Sequence, residues 1–332
     1  MRIAVTGADG MLGSNLCRAL LEGGYRVRAV LQPGRNAATI AGLELEETRA
    51  ELLDPDEVSA AFSGCDAVIH AAALTNVWPS YTEALRRVNV EGTANVVEAC
   101  LARSIGRLVY VATANSFGYG AKDDPGDETR PFSAGRYGLG YIETKYRALR
   151  LVLDAVRDRG LPAVCVAPTF MIGPYDSKPG SGALILAVCR GQVPGCAPGG
   201  RNYIYVRDVT VGITNALRSD AVGESYILGN ENLSYRELFG KVAAVVGRRA
   251  PSLVYPAALV KLLGLFGSLS GKLTGKAPGL SYPMARIACD GHYYRADKAV
   301  RELALPQTPV EEAIEAAYDW FRENGYLQGG SR

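Results

Sequence analysis

Histidine and tryptophan are scarce, at two residues each in 332, and the seven cysteines (Cys17, Cys65, Cys100, Cys165, Cys189, Cys196, Cys289) are scattered and never spaced as C-x-x-C. An odd, unpatterned set of thiols argues against a disulfide framework and a zinc site, and His70 and His292 are too isolated to build a metal cluster. The cysteines read as small buried hydrophobes in a reducing cytoplasm. An excess of charge is also missing: 36 Lys and Arg against 34 Asp and Glu leave a formal charge of +2. Nothing in that balance invites a nucleic acid or another polyanion.

No basic segment precedes an apolar one at the N-terminus, because the chain enters the strand-like run Arg2-Ile3-Ala4-Val5 at once; a secretory signal is not expected. The longest apolar-rich stretch, about Leu253 to Leu273, is interrupted by Pro256, Lys261, glycines and Lys272, so no integral membrane segment is expected there. Amphipathic core helices are the expectation, with a peripheral membrane contact as the alternative. What is plentiful is hydrophobic residues, at 48%, together with 38 glycines and 17 prolines that follow no collagen-like period. This is the composition of a globular protein with one large or two modest domains, and it excludes disordered and fibrous chains.

Short β-branched runs alternate with helical patterns through the first half. Ile3 to Val5, Arg26 to Leu31, Ala67 to His70, Leu108 to Ala112 and Ala163 to Ala167 read as strands. Helical stretches lie between them, near Leu12 to Glu22, Pro55 to Phe62, Tyr81 to Leu101 and Tyr141 to Arg159. Such alternation predicts an α/β fold, a Rossmann-type doubly wound parallel sheet. After Gly173-Pro174 the texture changes to a loop, Tyr175 to Gly182. Tyr203 to Val206 and Ser225 to Leu228 are expected to return as strands to the edge of the sheet, with a helix near Val209 to Leu217 between them. Helices near Tyr235 to Val246 and Pro309 to Asn324 belong to a smaller lobe. The expected division is a dinucleotide-binding domain over 1–170, joined again by 201–229, and a discontinuous substrate lobe from 171–200 and 230–332.

Thr6-Gly7-Ala8-Asp9-Gly10-Met11-Leu12-Gly13 follows the first strand and opens a helix. Gly7 permits the tight turn, Gly10 lets the backbone approach a pyrophosphate, and Gly13 lets helix and strand pack closely. A dinucleotide is therefore expected on this loop, Met11 and Leu12 included. At the end of the second strand, where a carboxylate would hold a free ribose 2′-hydroxyl and an arginine a 2′-phosphate, the chain has Leu31-Gln32-Pro33-Gly34-Arg35. Arg35 leans toward NADP; Gln32 suits either cofactor, so NAD stays open. Glu51-Leu52 and Ala71-Ala72-Ala73 stand at the ends of the third and fourth strand units, on the side where ligands bind in open α/β sheets. His70, beside the alanine run, reads as a packed, hydrogen-bonded residue.

Tyr141 and Lys145 are spaced i, i+4 on a helix, so both emerge on one face. An adjacent ammonium favours the phenolate, which lets Tyr141 exchange a proton with a substrate oxygen as a hydride moves. Lys145 also suits the nicotinamide ribose. Thr113, at the end of the run Val109 to Ala112, places a hydroxyl near the same point.

The Thr6 to Gly13 loop, Ala71 to Ala73, Val88-Asn89-Val90-Glu91-Gly92-Thr93, Thr113, Tyr141 with Lys145, and Pro168 to Pro174 resemble, in order and separation, the extended short-chain dehydrogenase/reductase superfamily. The resemblance covers almost the whole chain and implies Thr113, Tyr141 and Lys145 as catalytic residues. It also implies Glu51 at the adenine, where Asp is more usual, and Pro168 and Phe170 beside the nicotinamide. Ser116 falls three residues too late to be the catalytic hydroxyl. Asn202 to Val209, Gly223 to Gly229 and Trp320 to Tyr326 are similar to the branch of dihydroflavonol reductases, 3β-hydroxysteroid dehydrogenases and hopanoid-associated sugar-epimerase-like proteins.

Two substrate classes follow from that resemblance. Nucleotide-sugar epimerases and dehydratases of the superfamily use the same three residues with no net cofactor turnover, and typically carry an Asn where Phe170 stands; the apolar ring favours a hydrophobic substrate. Arg201 pulls the other way, because the segment after it resembles one in which an arginine grips the nucleotide phosphate. With the aliphatic stretch Leu259 to Leu269 weighed in, an NAD(P)-dependent oxidoreductase of a bulky, largely apolar alcohol or ketone is expected first, an epimerase second and a non-catalytic dinucleotide sensor third. The expected partner is a small-molecule substrate, with a homodimer through the Tyr81 to Leu101 and Tyr141 to Arg159 helices as a further possibility.

Overall fold

The computed structural model describes residues 1–327. Its strands are, in chain order, β1 (Arg2–Thr6), β2 (Arg26–Leu31), β3 (Glu46–Arg49), β4 (Ala67–His70), β5 (Arg107–Val111), β6 (Ala163–Pro168), β7 (Phe170–Ile172), β8 (Gly195–Cys196), β9 (Gly200–Tyr205), β10 (Ser225–Leu228), β11 (Glu231–Ser234), β12 (Leu253–Val254) and β13 (Gly291–His292). The helices are α1 (Met11–Glu22), α2 (Pro55–Ala61), α3 (Glu83–Arg86), α4 (Gly92–Ala102), α5 (Gly140–Arg159), α6 (Gly182–Cys189), α7 (Val206–Arg218), α8 (Tyr235–Val245), α9 (Ala257–Thr274), α10 (Tyr282–Ala288), α11 (Asp297–Leu303) and α12 (Val310–Glu323).

Seven strands pair in parallel in the order β10-β6-β5-β4-β1-β2-β3. The runs Ala67–His70 and Ala163–Pro168 are buried along their whole length, as strands covered on both faces must be. One face packs on α1 and α7 and the other on α2, α4 and α5, and each has its own buried cluster. All five strands read from the first half form. β3 escaped that reading because its sequence, Glu46-Glu47-Thr48-Arg49, is polar and mostly exposed, which suits the edge of a sheet.

The chain leaves β1 toward β2 on one side and β4 lies on the other, so the order reverses between β1 and β4. A crevice opens there, outside the carboxyl ends of the strands.

Of the two later strands expected at the sheet edge, only Ser225–Leu228 arrives, on β6. The Tyr203 to Val206 run belongs instead to β9, the hub of a second sheet: β11 pairs with it antiparallel, β7 and β13 in parallel. The reason is local, since β7 follows β6 after a single residue, Thr169, and carries the chain away from the large sheet before β9 can reach it. The helical stretch Tyr81 to Leu101 divides into α3, a π-helical turn over Arg87–Glu91, and α4.

The apolar stretch near Leu253 to Leu273 is not a core helix. In α9 only Val260, Gly264 and Gly271 are buried, while seven large apolar side chains of the helix are exposed. A narrow small-residue face explains this: a Cβ on Gly264 would meet Ala285 Cβ at 2.4 Å and one on Gly267 would meet the Leu280 carbonyl at 2.1 Å. The helix therefore docks through its smallest residues and turns its leucines outward.

Candidate active site

A cleft of about 980 Å³ occupies the crevice, at the upper end of the roughly 300–1,000 Å³ of small-molecule sites. Its lining includes Gly7, Gly10, Met11, Leu12 and Gly13 from the loop after β1, and Gln32 and Arg35 after β2. Glu51 and Leu52 line it after β3, Ala71, Ala72 and Ala73 after β4, and Thr113, Tyr141, Lys145 and Pro168 at its other end. Residues far apart in sequence thus converge on one surface.

Gly7 has φ +71°, and a Cβ there would lie 2.8 Å from the Ala72 backbone. At Gly13 a Cβ would strike the Gly7 carbonyl oxygen at 2.1 Å, so α1 can start this close to β1 only with glycine. Gly10 caps α1 without a side chain. The first-turn amides of α1 therefore face the cleft uncapped by any side chain, an arrangement that fits a dinucleotide pyrophosphate.

At the far end Arg35 Nε donates to Gln32 Oε1 (3.1 Å), and Gln32 Nε2 to Glu51 Oε2 (3.2 Å). Arg49, not anticipated from the sequence, donates to the carbonyls of Gln32 and Arg35 and so holds that turn.

At the end of the cleft by Thr113, α5 presents Tyr141 and Lys145 on one face. Lys145 is 3% exposed. Its Nζ donates to the Val111 carbonyl at 2.6 Å and lies 4.5 Å from the centre of the Tyr110 ring. Burial pulls its ammonium down to about 7. Burial pushes the Tyr141 phenol up, with the Thr113 hydroxyl acting the other way. The ammonium is thus turned toward a backbone carbonyl.

His70 is a packed residue. Its Nδ1 lies 2.7 Å from Thr6 Oγ1 and its Nε2 3.1 Å from Thr93 Oγ1, and burial together with Lys145 holds it near 3 and neutral. Among the described residues no group of His, Cys, Asp and Glu could hold a metal, and no cysteine is paired.

Phe170 and Arg201 are not brought to this cleft. β7 alternates, so Thr169 and Met171 face the cleft, whereas Phe170 packs edge-on against Tyr203 at 5.4 Å. Arg201 stacks on Phe170, 5.3 Å from its centre, and donates from Nε to the Tyr235 hydroxyl at 2.9 Å.

Also unforeseen are Leu74, Val77, Ala84 and Val88, which line the cleft beyond Tyr141. Asn89, on the π-helical turn, accepts from Leu74 N at 2.8 Å and donates to the Leu74 carbonyl at 2.9 Å and Thr144 Oγ1 at 3.0 Å. It thereby ties the loop after β4 to α5. Buried Asp176 organises the loop before α6 by accepting from the amides of Gly180 and Gly182.

Fold and cradle together define a dinucleotide-binding α/β protein. The chain belongs to the NAD dependent epimerase/dehydratase family, which it matches over residues 3–229, and is an enzyme of that family. A Synechocystis protein provisionally named a dihydroflavonol 4-reductase is 32% identical over 98% of this chain and 95% of its own. Sterol demethylase protein B of Methylococcus capsulatus is 28% identical over 98% and 100%, and the 2-alkyl-3-oxoalkanoate reductase of Stenotrophomonas maltophilia 31% over 95% and 97%. Among solved structures, gox2253 superposes with a TM-score of 0.86 at 32% identity, covering 97% of this chain and 98% of its own. PA4631 of Pseudomonas aeruginosa, described as a nucleoside-diphosphate-sugar epimerase, does so at 0.81 and 26%, covering 98% and 99%.

Proposed function

We propose that the protein is an oxidoreductase that moves a hydride between NADP(H), in preference to NAD(H), and a bulky, largely apolar alcohol or ketone. The carrying observation is the make-up of the cleft. Its lining includes Leu74, Val77, Ala84, Val88 and Met171, with Thr75 and Asn76 as the polar members of the same loop, and its cationic side chains among the described residues are Arg35, Lys145 and Lys178. Lys178 is paired with Asp9 at 3.6 Å. A nucleotide-sugar diphosphate calls for a forked guanidinium grip. Arg35 is at the adenine end and Arg201 is engaged with Tyr235, which leaves no such grip near Tyr141 among the described residues. The three relatives are named for a dihydroflavonol, a sterol and a 2-alkyl-3-oxoalkanoate, which supports the same substrate class.

In this reading the nicotinamide, when bound, supplies or accepts the hydride. Gly7, Gly10 and Gly13 with the α1 amides hold the pyrophosphate, and Arg35 favours a 2′-phosphate. Tyr141 exchanges the proton with the substrate oxygen, Thr113 orients that oxygen, and Lys145 holds the nicotinamide ribose. The apolar wall excludes water from the reacting atoms.

The whole-chain likeness to PA4631 favours epimerisation as the second reading. A screen of apolar ketones and nucleotide sugars separates the two. Ketone-dependent, stoichiometric NADPH consumption is expected, and sugar turnover without net NADPH change would overturn the proposal. Tyr141→Phe should lower turnover by about 10²–10⁴-fold, the usual worth of a positioned proton donor, with dinucleotide binding retained. Unchanged turnover would end the proton-transfer role.

A further inference from the structure

The outward face of α9 is the largest apolar feature that the cleft does not use. Ten of the fifteen exposed large hydrophobic side chains among the described residues lie between Leu253 and Tyr282. At helical spacing, Leu262, Phe266, Leu269 and Leu273 share one outward face, and they are 48%, 62%, 53% and 85% exposed. Lys261 and Lys272 lie along one edge of that face on the same helix, and both are exposed. Monomeric soluble proteins rarely leave so continuous an apolar strip in water.

Charge identifies what covers it. From Arg248 to Cys289 the chain carries six basic residues, Arg248, Arg249, Lys261, Lys272, Lys276 and Arg286, and no Asp or Glu. The whole protein is +2, so the remainder is −4. Among the described residues none of these six enters an ion pair, although cations elsewhere on the surface commonly do. An apolar helix face edged by unpaired lysines matches a bilayer interface, in which the leucines and phenylalanine enter the acyl boundary and the lysine heads reach anionic lipid.

Position adds a functional sense. A Cβ on Gly271 would meet Trp78 Cζ2 at 2.7 Å, so α9 abuts the loop whose Leu74 and Val77 line the cleft.

We infer that α9 is a peripheral docking surface for anionic lipid bilayers, seating the protein with the mouth of its cleft beside the membrane. This contact needs neither cofactor nor substrate, so it stands or falls apart from the proposed reaction.

The test is co-sedimentation of the purified protein with phosphatidylcholine vesicles, with and without phosphatidylglycerol, at low and high salt. Binding is expected with phosphatidylglycerol, weakening with salt and on removal of the anionic lipid. The double variant Phe266→Glu, Leu269→Glu should lose about tenfold or more in vesicle affinity, and Lys272→Ala with Lys276→Ala should lose the salt-sensitive part. Both changes are at exposed positions, and thermal stabilisation by dinucleotide should be retained, which shows that the fold persists. Absence of binding to anionic vesicles, or binding unchanged in the Glu variant, would overturn the inference. If light scattering instead shows a wild-type dimer that becomes monomeric in the Glu variant and neither binds vesicles, the face belongs to a second copy.

Discussion

Replacing Lys145 by Met tests the electrostatics of the cleft directly. In the cofactor-free protein burial lowers this ammonium from the ordinary 10.5 to about 7. Below about pH 7 the folded and unfolded chains both hold the proton and the burial penalty is present in full. As pH rises above 7 the folded protein releases it while the unfolded chain keeps it up to about 10.5, so the unfolded state binds more protons and stability rises with pH. At about 1.4 kcal/mol per pH unit, the climb from pH 7 to 8.5 amounts to about 2 kcal/mol. For a chain of this length that is a Tm change of about 3 °C.

The thiols, five buried and two half-buried, pull the opposite way near and above pH 9, because all seven are raised and the unfolded chain ionises first. The clean observable is therefore the difference between wild type and Lys145→Met, followed by scanning fluorimetry from pH 7 to 8.5. The wild type should gain on the variant with rising pH. In the proposed reading the variant should also lose most of its stabilisation by dinucleotide. A difference that is flat or falls with pH would refute the burial argument.

Gly13→Ala drives a Cβ to 2.1 Å from the Gly7 carbonyl oxygen; displacement of the loop should cost about 1–3 kcal/mol of stability and abolish dinucleotide binding, and a fluorescence titration that matches wild type would contradict the cradle. Arg35→Ala should weaken NADPH binding about tenfold while leaving NADH unchanged, the worth of one exposed charge-assisted contact to a 2′-phosphate. Equal losses for both cofactors, measured by quenching, would remove the basis for the NADP preference.

The parts legible from residues alone are those set by local spacing. A glycine loop between strand and helix, a four-residue Tyr-Lys step on one helical face, and β-branched runs at the centre of a parallel sheet each follow from neighbours in sequence, and they appear where expected. Tyr141, Lys145, Thr113 and Gly7, Gly10 and Gly13 meet in one cleft. A charged edge strand such as Glu46–Arg49 carries no periodic signal, because backbone pairing with β2 holds it rather than burial of its side chains.

Tertiary structure decided the rest. Phe170 turns away from the cleft because β7 leaves the large sheet to pair with β9, and one residue of register exchanges Phe170 for Met171 there. Lys145 reaches the Val111 carbonyl because α5 packs on β6 and on the turn Ala114–Ser116 that follows β5. The apolar helix near the C-terminus lies outside the core because its glycines, not its leucines, make the closest contact with α10. Periodicity reports which residues share a face, but which face is covered depends on long-range packing that no local window contains.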